Sequence, residues 1–277
     1  MAQTTKTSWA RIMAPLSGGK GDAGVLAAAA ELARPFGAEV AGVYAPADVA
    51  DLMPWMGEGF MGGVQITAVE SLKEAASQGE TNARAALDAC ICGRKREFVT
   101  LESPVWASLA TESRLSDVVV FDNEAARGRG PLAEAFQQLV ANEQRPTVVG
   151  RAGLKVDGIT AVAWDGGKEA TRAARTAIPL LEKASRVVIL GAPGASSREF
   201  DPHRLQEFLA ARDVEAEVEV IKGSGDAANL LLAASRAAGA NLLVSGAFGH
   251  LRLREYIFGG TTRTFLHADS PSLFLSH

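Results

Sequence analysis

Apolar residues along the chain fall into short runs separated by longer alanine-rich stretches, and the runs come in two matching sets. Arg11–Leu16 opens the first set, an alanine-rich stretch follows up to Gly37, and Glu39–Val43 is the next run. The same order recurs with Ile12 aligned on Thr160, an offset of 148: Thr160–Trp164, a helical stretch to about Ala184, then Val187–Gly191. Near-continuous apolar runs joined by helices predict parallel strands buried on both faces, with right-handed crossovers. In the second copy Val214–Val220 alternates as a strand, and Asp226 caps a helix that runs through Ala237 and ends at Gly239. Asn241–Ser245 is the next strand, and a helix after Gly260 leads to the closing strand Pro271–Leu275. The first copy keeps this order through Arg96–Leu101, a helix near Val105–Glu112, Asp117–Phe121, a helix from about Pro131 to Asn142, and Thr147–Val149. The pattern predicts an α/β chain of two tandem doubly wound domains, each a five-stranded parallel sheet flanked by helices.

The first copy also carries an insertion that the second lacks. Leu52–Val64 holds three methionines, a tryptophan and a phenylalanine on a glycine-loosened stretch, and Ala68–Ala89 reads as a long amphipathic helix. Such a surface either contacts a partner, a second copy or another protein, or covers a ligand, or else folds back over its own domain. A short polar segment, Gly150–Gly158, suits a boundary between domains at 1–152 and 153–277.

Composition narrows the function classes. The 277 residues are 47% hydrophobic and 22% charged, which excludes a disordered chain. A formal net charge of −4 gives no basic footprint for nucleic acid. No apolar run reaches the roughly 20 residues that span a bilayer, and Met1–Lys6 opens no hydrophobic signal core, so a cytoplasmic protein is expected. Cys90 and Cys92 lack the further ligands of a zinc site and read as small apolar residues ending a helix capped at Gly93.

The chemistry concentrates near the end of the second copy. Leu242–Gly249 is an apolar run closing on Gly246 and Gly249; after nine intervening residues come Gly259, Gly260, Thr261 and Thr262. Glycines let main-chain N–H groups approach an anion, and a helix opening at Gly259 or Gly260 adds unsatisfied donors and its positive dipole end. Two ordinary turns are the plain alternative.

The spacing Gly-x2-Gly-x9-Gly, with hydroxyl residues directly after it, resembles the nucleotide-binding signature of the universal stress protein family. The resemblance implies a nucleotide-binding, Rossmann-like domain of the adenine nucleotide alpha hydrolase type. It further implies that the glycine loops hold the phosphates and ribose of ATP, with or without Mg, or of another adenine nucleotide. Asp165, ending the first strand of the second copy, matches a family aspartate near adenine and ribose; the partner glycines downstream favour that contact over helix capping alone, and the two roles can coexist. Ala192 aligns with a position whose backbone approaches the adenine. Gly260 stands where the family has Ser or Thr, leaving Thr261 or Thr262 to supply the hydroxyl. Arg263 and the neighbouring His250, Arg252 and Arg254 are candidate cations for the phosphates or parts of a solvated face. The first copy has lost the pattern, with Ser17 opposite Asp165, Asp122 opposite Gly246, Ala125 opposite Gly249 and Glu134 or Ala135 opposite Gly259. Carboxylates where phosphates would lie predict a first domain that binds no ATP.

The family's closing strands pair across a two-fold axis, which implies pairing near Val148 and Phe274. No catalytic triad, paired-carboxylate site or metal spacing can be assigned. The reading is a stress-response protein using a nucleotide as a conformational or interaction signal. The rivals are a slow ATP hydrolase or phosphotransferase and a nucleotide-free interaction module.

Overall fold

The computed structural model describes residues 8–46, 63–92, 95–102, 105–192, 201–247 and 260–277, with side chains from Glu70 onward in the helix that opens at Gly63. The first half runs β1 (Arg11–Leu16), α1 (Asp22–Ala33), β2 (Glu39–Tyr44), α2 (Gly63–Ala89), β3 (Arg96–Thr100), α3 (Val105–Arg114), β4 (Val118–Phe121), α4 (Asn123–Ala126), α5 (Ala133–Ala141) and β5 (Thr147–Val149). The second runs β6 (Ile159–Trp164), α6 (Lys168–Thr176), α7 (Ile178–Leu181), β7 (Arg186–Gly191), α8 (Pro202–Ala210), β8 (Glu217–Val220), α9 (Ala227–Ala237), β9 (Leu242–Gly246), α10 (Gly260–His267) and β10 (Ser272–Ser276).

All ten strands form one sheet in the order β3-β2-β1-β4-β5-β10-β9-β6-β7-β8. Within each half every pairing is parallel; β5 and β10 alone pair antiparallel, with Phe274 opposite Val148. The two expected five-stranded sheets are thus halves of a continuous one, because their closing strands satisfy each other's edges. Alternate residues feed opposite faces. Ile12, Val118, Val120 and Phe274 enter one core layer, while Met13, Val119, Phe121, Leu273 and Leu275 enter the other, and both layers continue across the junction.

The connector between β5 and β6 is not a free polar tether. Arg151 is only 6% exposed and Val156 only 2%. The Arg151 guanidinium donates to the carbonyls of Pro271, Phe265 and Leu266 and to Asn123 Oδ1, so its fork ties the C-terminal end of α10 to the first half. Trp9 adds a ring stacked 6.4 Å from Phe274.

The insertion reading lies mostly outside the described residues, which resume at Gly63. What is described is α2, whose 27 residues replace the nine of α8 at the corresponding place. Its packed stripe, Leu72, Ala76, Gly79, Ala83 and Leu87, follows helical spacing. The cysteine reading needs correcting: Cys90 and Cys92 are joined as a disulfide, with Cα atoms 5.2 Å apart. On a helix side chains two apart diverge, but α2 ends at Ala89 and leaves both residues free to turn toward each other.

Candidate functional site

Both halves place a strand–loop–helix at the carboxyl edge of the sheet, where ligands of doubly wound folds bind. The pairing registers make the two places comparable. Ile12 pairs with Val118 as Thr160 pairs with Leu242, which sets Asp122 against Gly246 and Ser17 against Asp165, as the sequence repeat implied.

In the second half Asp165, Glu169, Ser245, Gly246, Gly260, Thr261 and Thr262 surround a cavity of about 150 Å³, with Trp164 and Leu231 among its apolar walls. This is below the roughly 300–1,000 Å³ of complete small-molecule sites. Gly249 and Gly259, and with them His250, Arg252 and Arg254, lie outside the described residues. Of the expected residues the cavity brings together Asp165, Gly246, Gly260, Thr261 and Thr262.

Asp165 is exposed, and its Oδ1 accepts the Gly167 N–H at 2.8 Å. It does not cap α6: the N-cap is Gly167, without a side-chain bond, because Gly166 at φ +75° delays the helix to Lys168. Asp165 instead braces the loop and lines the cavity. Thr262 is buried and Thr261 exposed in the first turn of α10, and Thr264 Oγ1 donates to the Gly260 carbonyl at 3.1 Å.

Ala192 stands at the end of β7 but does not line the cavity; its N–H is consumed by the Trp164 carbonyl at 2.8 Å. Arg263 is displaced as well. Three residues beyond Gly260 it has turned to another face of α10 and lines a surface hollow with Asn229, Arg236 and His267. Glu169, Trp164 and Ser245 were not foreseen. Glu169 is 7% exposed, with Lys168 Nζ 3.3 Å away. The Trp164 indole nitrogen is buried without a hydrogen-bond partner among the described residues. An acid in a helix's first turn looks like ordinary dipole compensation, so only tertiary placement marks Glu169.

Gly246 has a packing role that its sequence context hides. A β-carbon there would lie 2.6 Å from both Ala170 N and the Glu169 carbonyl carbon, so the start of α6 sits directly on the strand. Gly246→Ala should therefore lower the unfolding free energy by about 1–3 kcal/mol through overpacking, measured by urea titration; an unchanged midpoint would contradict this packing. At Gly260, by contrast, nothing stands within 4 Å of the built β-carbon.

The first half is arranged differently. Asp22, 3% exposed, accepts Ser17 N–H at 3.0 Å, Ser17 Oγ at 3.2 Å and Gly18 N–H at 2.8 Å. The loop donors that would meet an anion are thus taken by the chain's own carboxylate. Asp122 caps α4 through the Ala125 N–H at 2.8 Å. Above the loop lies α2: a β-carbon on Gly18 would strike the Gly79 backbone, Asn82 Nδ2 donates to the Gly18 carbonyl at 3.3 Å, and Tyr44 Oη donates to the Ala76 carbonyl at 2.9 Å.

Among the described residues no helix is long and apolar enough to cross a membrane, and no cluster of three metal-ligating side chains occurs. No family model and no curated protein matches the sequence. Solved structures do. A universal stress protein from Archaeoglobus fulgidus DSM 4304 superposes with a TM-score of 0.70 at 15% identity, over 96% of this chain and 95% of that one. A protein from Pseudomonas aeruginosa UCBPP-PA14, provisionally titled a universal stress protein, gives 0.56 at 14% identity over 97% and 93%. A functionally unknown protein from Pseudomonas aeruginosa PAO1 gives 0.53 at 13% identity over 97% and 92%. At such identities the likeness is one of architecture, and it spans the whole chain: this protein has the universal stress protein fold, two units of it in tandem.

Proposed function

We propose that the chain is a tandem universal stress protein whose second half, residues 153–277, binds ATP or another adenine nucleotide, while the first, residues 1–152, binds none. The observation carrying this reading is the difference between the two equivalent loops. In the second half the opening of α10 faces an open cavity with Thr261, Thr262 and Asp165 around it. In the first half the loop equivalent to Asp165–Gly166 has its N–H groups taken by Asp22, and α2 packs on Gly18.

The N–H groups opening α10 are donors for phosphate, assisted by the helix dipole. Asp165 accepts from a ribose hydroxyl with the oxygen that Gly167 leaves unused. The charged groups lining the described cavity are both carboxylates, Asp165 and Glu169. That suits hydroxyls and a nucleotide carried with Mg, whose charge offsets the repulsion between carboxylate and phosphate; Asp165 and Glu169 are the residues that would face the ion. Mg in this setting supplies charge neutralisation. Among the described residues no lysine lines the cavity, and in this reading the nucleotide acts as a signal that favours one conformation or partner complex over another.

Titration calorimetry should find one ATP site per chain that Gly260→Asp abolishes, and a parallel phosphate-release assay should find no turnover above the no-protein control. Two equivalent sites per chain would overturn the asymmetry, and sustained turnover would replace the binding protein by an ATP hydrolase.

A further inference from the structure

On the far side of the β6–α6 loop from this cavity lies a cleft of about 780 Å³ between the halves. Arg145 of the first half and Lys168, Arg172 and Arg175 of α6 line it, with His277 at its end. It meets a second hollow of about 520 Å³ at Gly166, Thr171 and Arg175, to which Arg204 contributes. We infer that this cleft is an anion site for a small condensed phosphate or a phosphorylated metabolite carrying at least two phosphate groups.

The amphipathic pattern of α6 gives the first reason. Ala170, Ala173 and Ala174 bury one face, whereas Lys168, Thr171, Arg172 and Arg175 form the other, with no acid among them. Lys168 and Arg172, four apart, repel each other, and a cation at the opening of a helix opposes the dipole. The guanidinium groups of Arg172 and Arg175 have no hydrogen bond or ion pair among the described residues. Glu169 lies near, but it pairs with Lys168 and lines the other cavity. For a chain of net charge −4, a cleft lined by four basic side chains and no acidic one is a local inversion of sign.

The opposite wall gives the second. Arg145 is held by one bond, from Nη2 to the Ser116 carbonyl at 2.7 Å, and its Nε is buried with no partner. Burial pushes its pKa down, and Asp117 and Glu143 offset this only in part. Such an under-compensated guanidinium gains from an anion bound against it.

Spacing selects the ligand. Residues three apart on α6 are separated by roughly 4.5 Å along its axis, and seven apart by roughly 10 Å. One phosphate cannot meet all of these cations, while a chain of two or three can, through the planar fork that suits guanidinium to phosphate. The volume is that of a small-molecule site. This inference does not rest on the nucleotide reading.

Calorimetry with inorganic tripolyphosphate at low salt tests it on the full chain. One equivalent should bind a Gly260→Asp variant, in which the α10 opening is blocked. Adding Arg172→Gln/Arg175→Gln to that variant should weaken binding at least tenfold with an unchanged melting temperature. Absence of binding to Gly260→Asp, or full binding after the two Gln substitutions, would overturn the inference. So would tighter binding of a short oligonucleotide than of tripolyphosphate.

Discussion

Gly260→Asp should lose ATP binding by about a thousandfold and melt no earlier than the parent. The expectation has two parts. Nothing stands within 4 Å of a β-carbon at residue 260, so the side chain enters open space at the start of α10. An acidic residue at a helix opening stabilises the helix by about 0.3–1 kcal/mol, and replacing glycine removes backbone entropy from the unfolded chain. The added carboxylate then stands where a phosphate would approach. At about 4 Å and an effective dielectric near 20, that repulsion is on the order of 4 kcal/mol per unit charge, equivalent to about a thousandfold in affinity. Gly246→Asp, the substitution that copies the first half, is a poorer probe. Its side chain would collide with the α6 backbone, so lost binding could not be separated from lost packing. The companion Gly260→Ser, which restores the family's hydroxyl, should bind at least as tightly as the parent. Equal affinity of parent and Gly260→Asp in direct titration, with both folded, would remove α10 from the site.

Arg151→Ala should lower the unfolding free energy by about 3 kcal/mol, the largest single effect expected in the connector. Its guanidinium makes four bonds to groups at the ends of elements: Phe265 and Leu266 end α10, Pro271 precedes β10, and Asn123 opens α4. Burial, with Arg127 nearby, lowers its pKa to about 10, so the group remains charged at neutral pH and is compensated by carbonyl dipoles. Truncation removes all four bonds from a buried seam, in which the Phe265 carbonyl keeps the Ala268 N–H and the Leu266 carbonyl keeps Arg127 Nε. Lysine restores the charge but not the fork, and Arg151→Lys should recover less than half of the loss. Urea titrations of the three proteins give the comparison, and a change below about 1 kcal/mol for Arg151→Ala would mean that water replaces the guanidinium freely.

The strand ladder was legible because parallel strands buried on both faces must be apolar along their whole length, as Val118–Phe121 and Leu242–Val244 are. The repeat carried more than the individual elements did, since it set Asp122 against Gly246 before any register was known. What stayed hidden depends on contacts between distant segments. Gly246 reads as a phosphate-loop glycine, yet its bareness accommodates α6. Asp165 reads as a nucleotide contact that could also cap a helix, but the left-handed Gly166 shifts the helix start beyond its reach. Arg151 reads as linker polarity, because only the fold brings the end of α10 over it. Cys90 and Cys92 pair only because α2 stops one residue earlier. The filling of the first half's loop by Asp22 and α2 likewise needed the packing of a helix some sixty residues away.

The central claim, one nucleotide site in the second half and none in the first, is tested most directly by a crystal structure of the chain grown with ATP and Mg. Phosphate density is expected at the opening of α10, against Gly260–Thr262, with the ribose near Asp165 and the Ser17–Asp22 loop closed on its own carboxylate. Nucleotide density in the Ser17–Asp22 loop, or a fully occupied nucleotide that leaves Asp165 and α10 untouched, would contradict it.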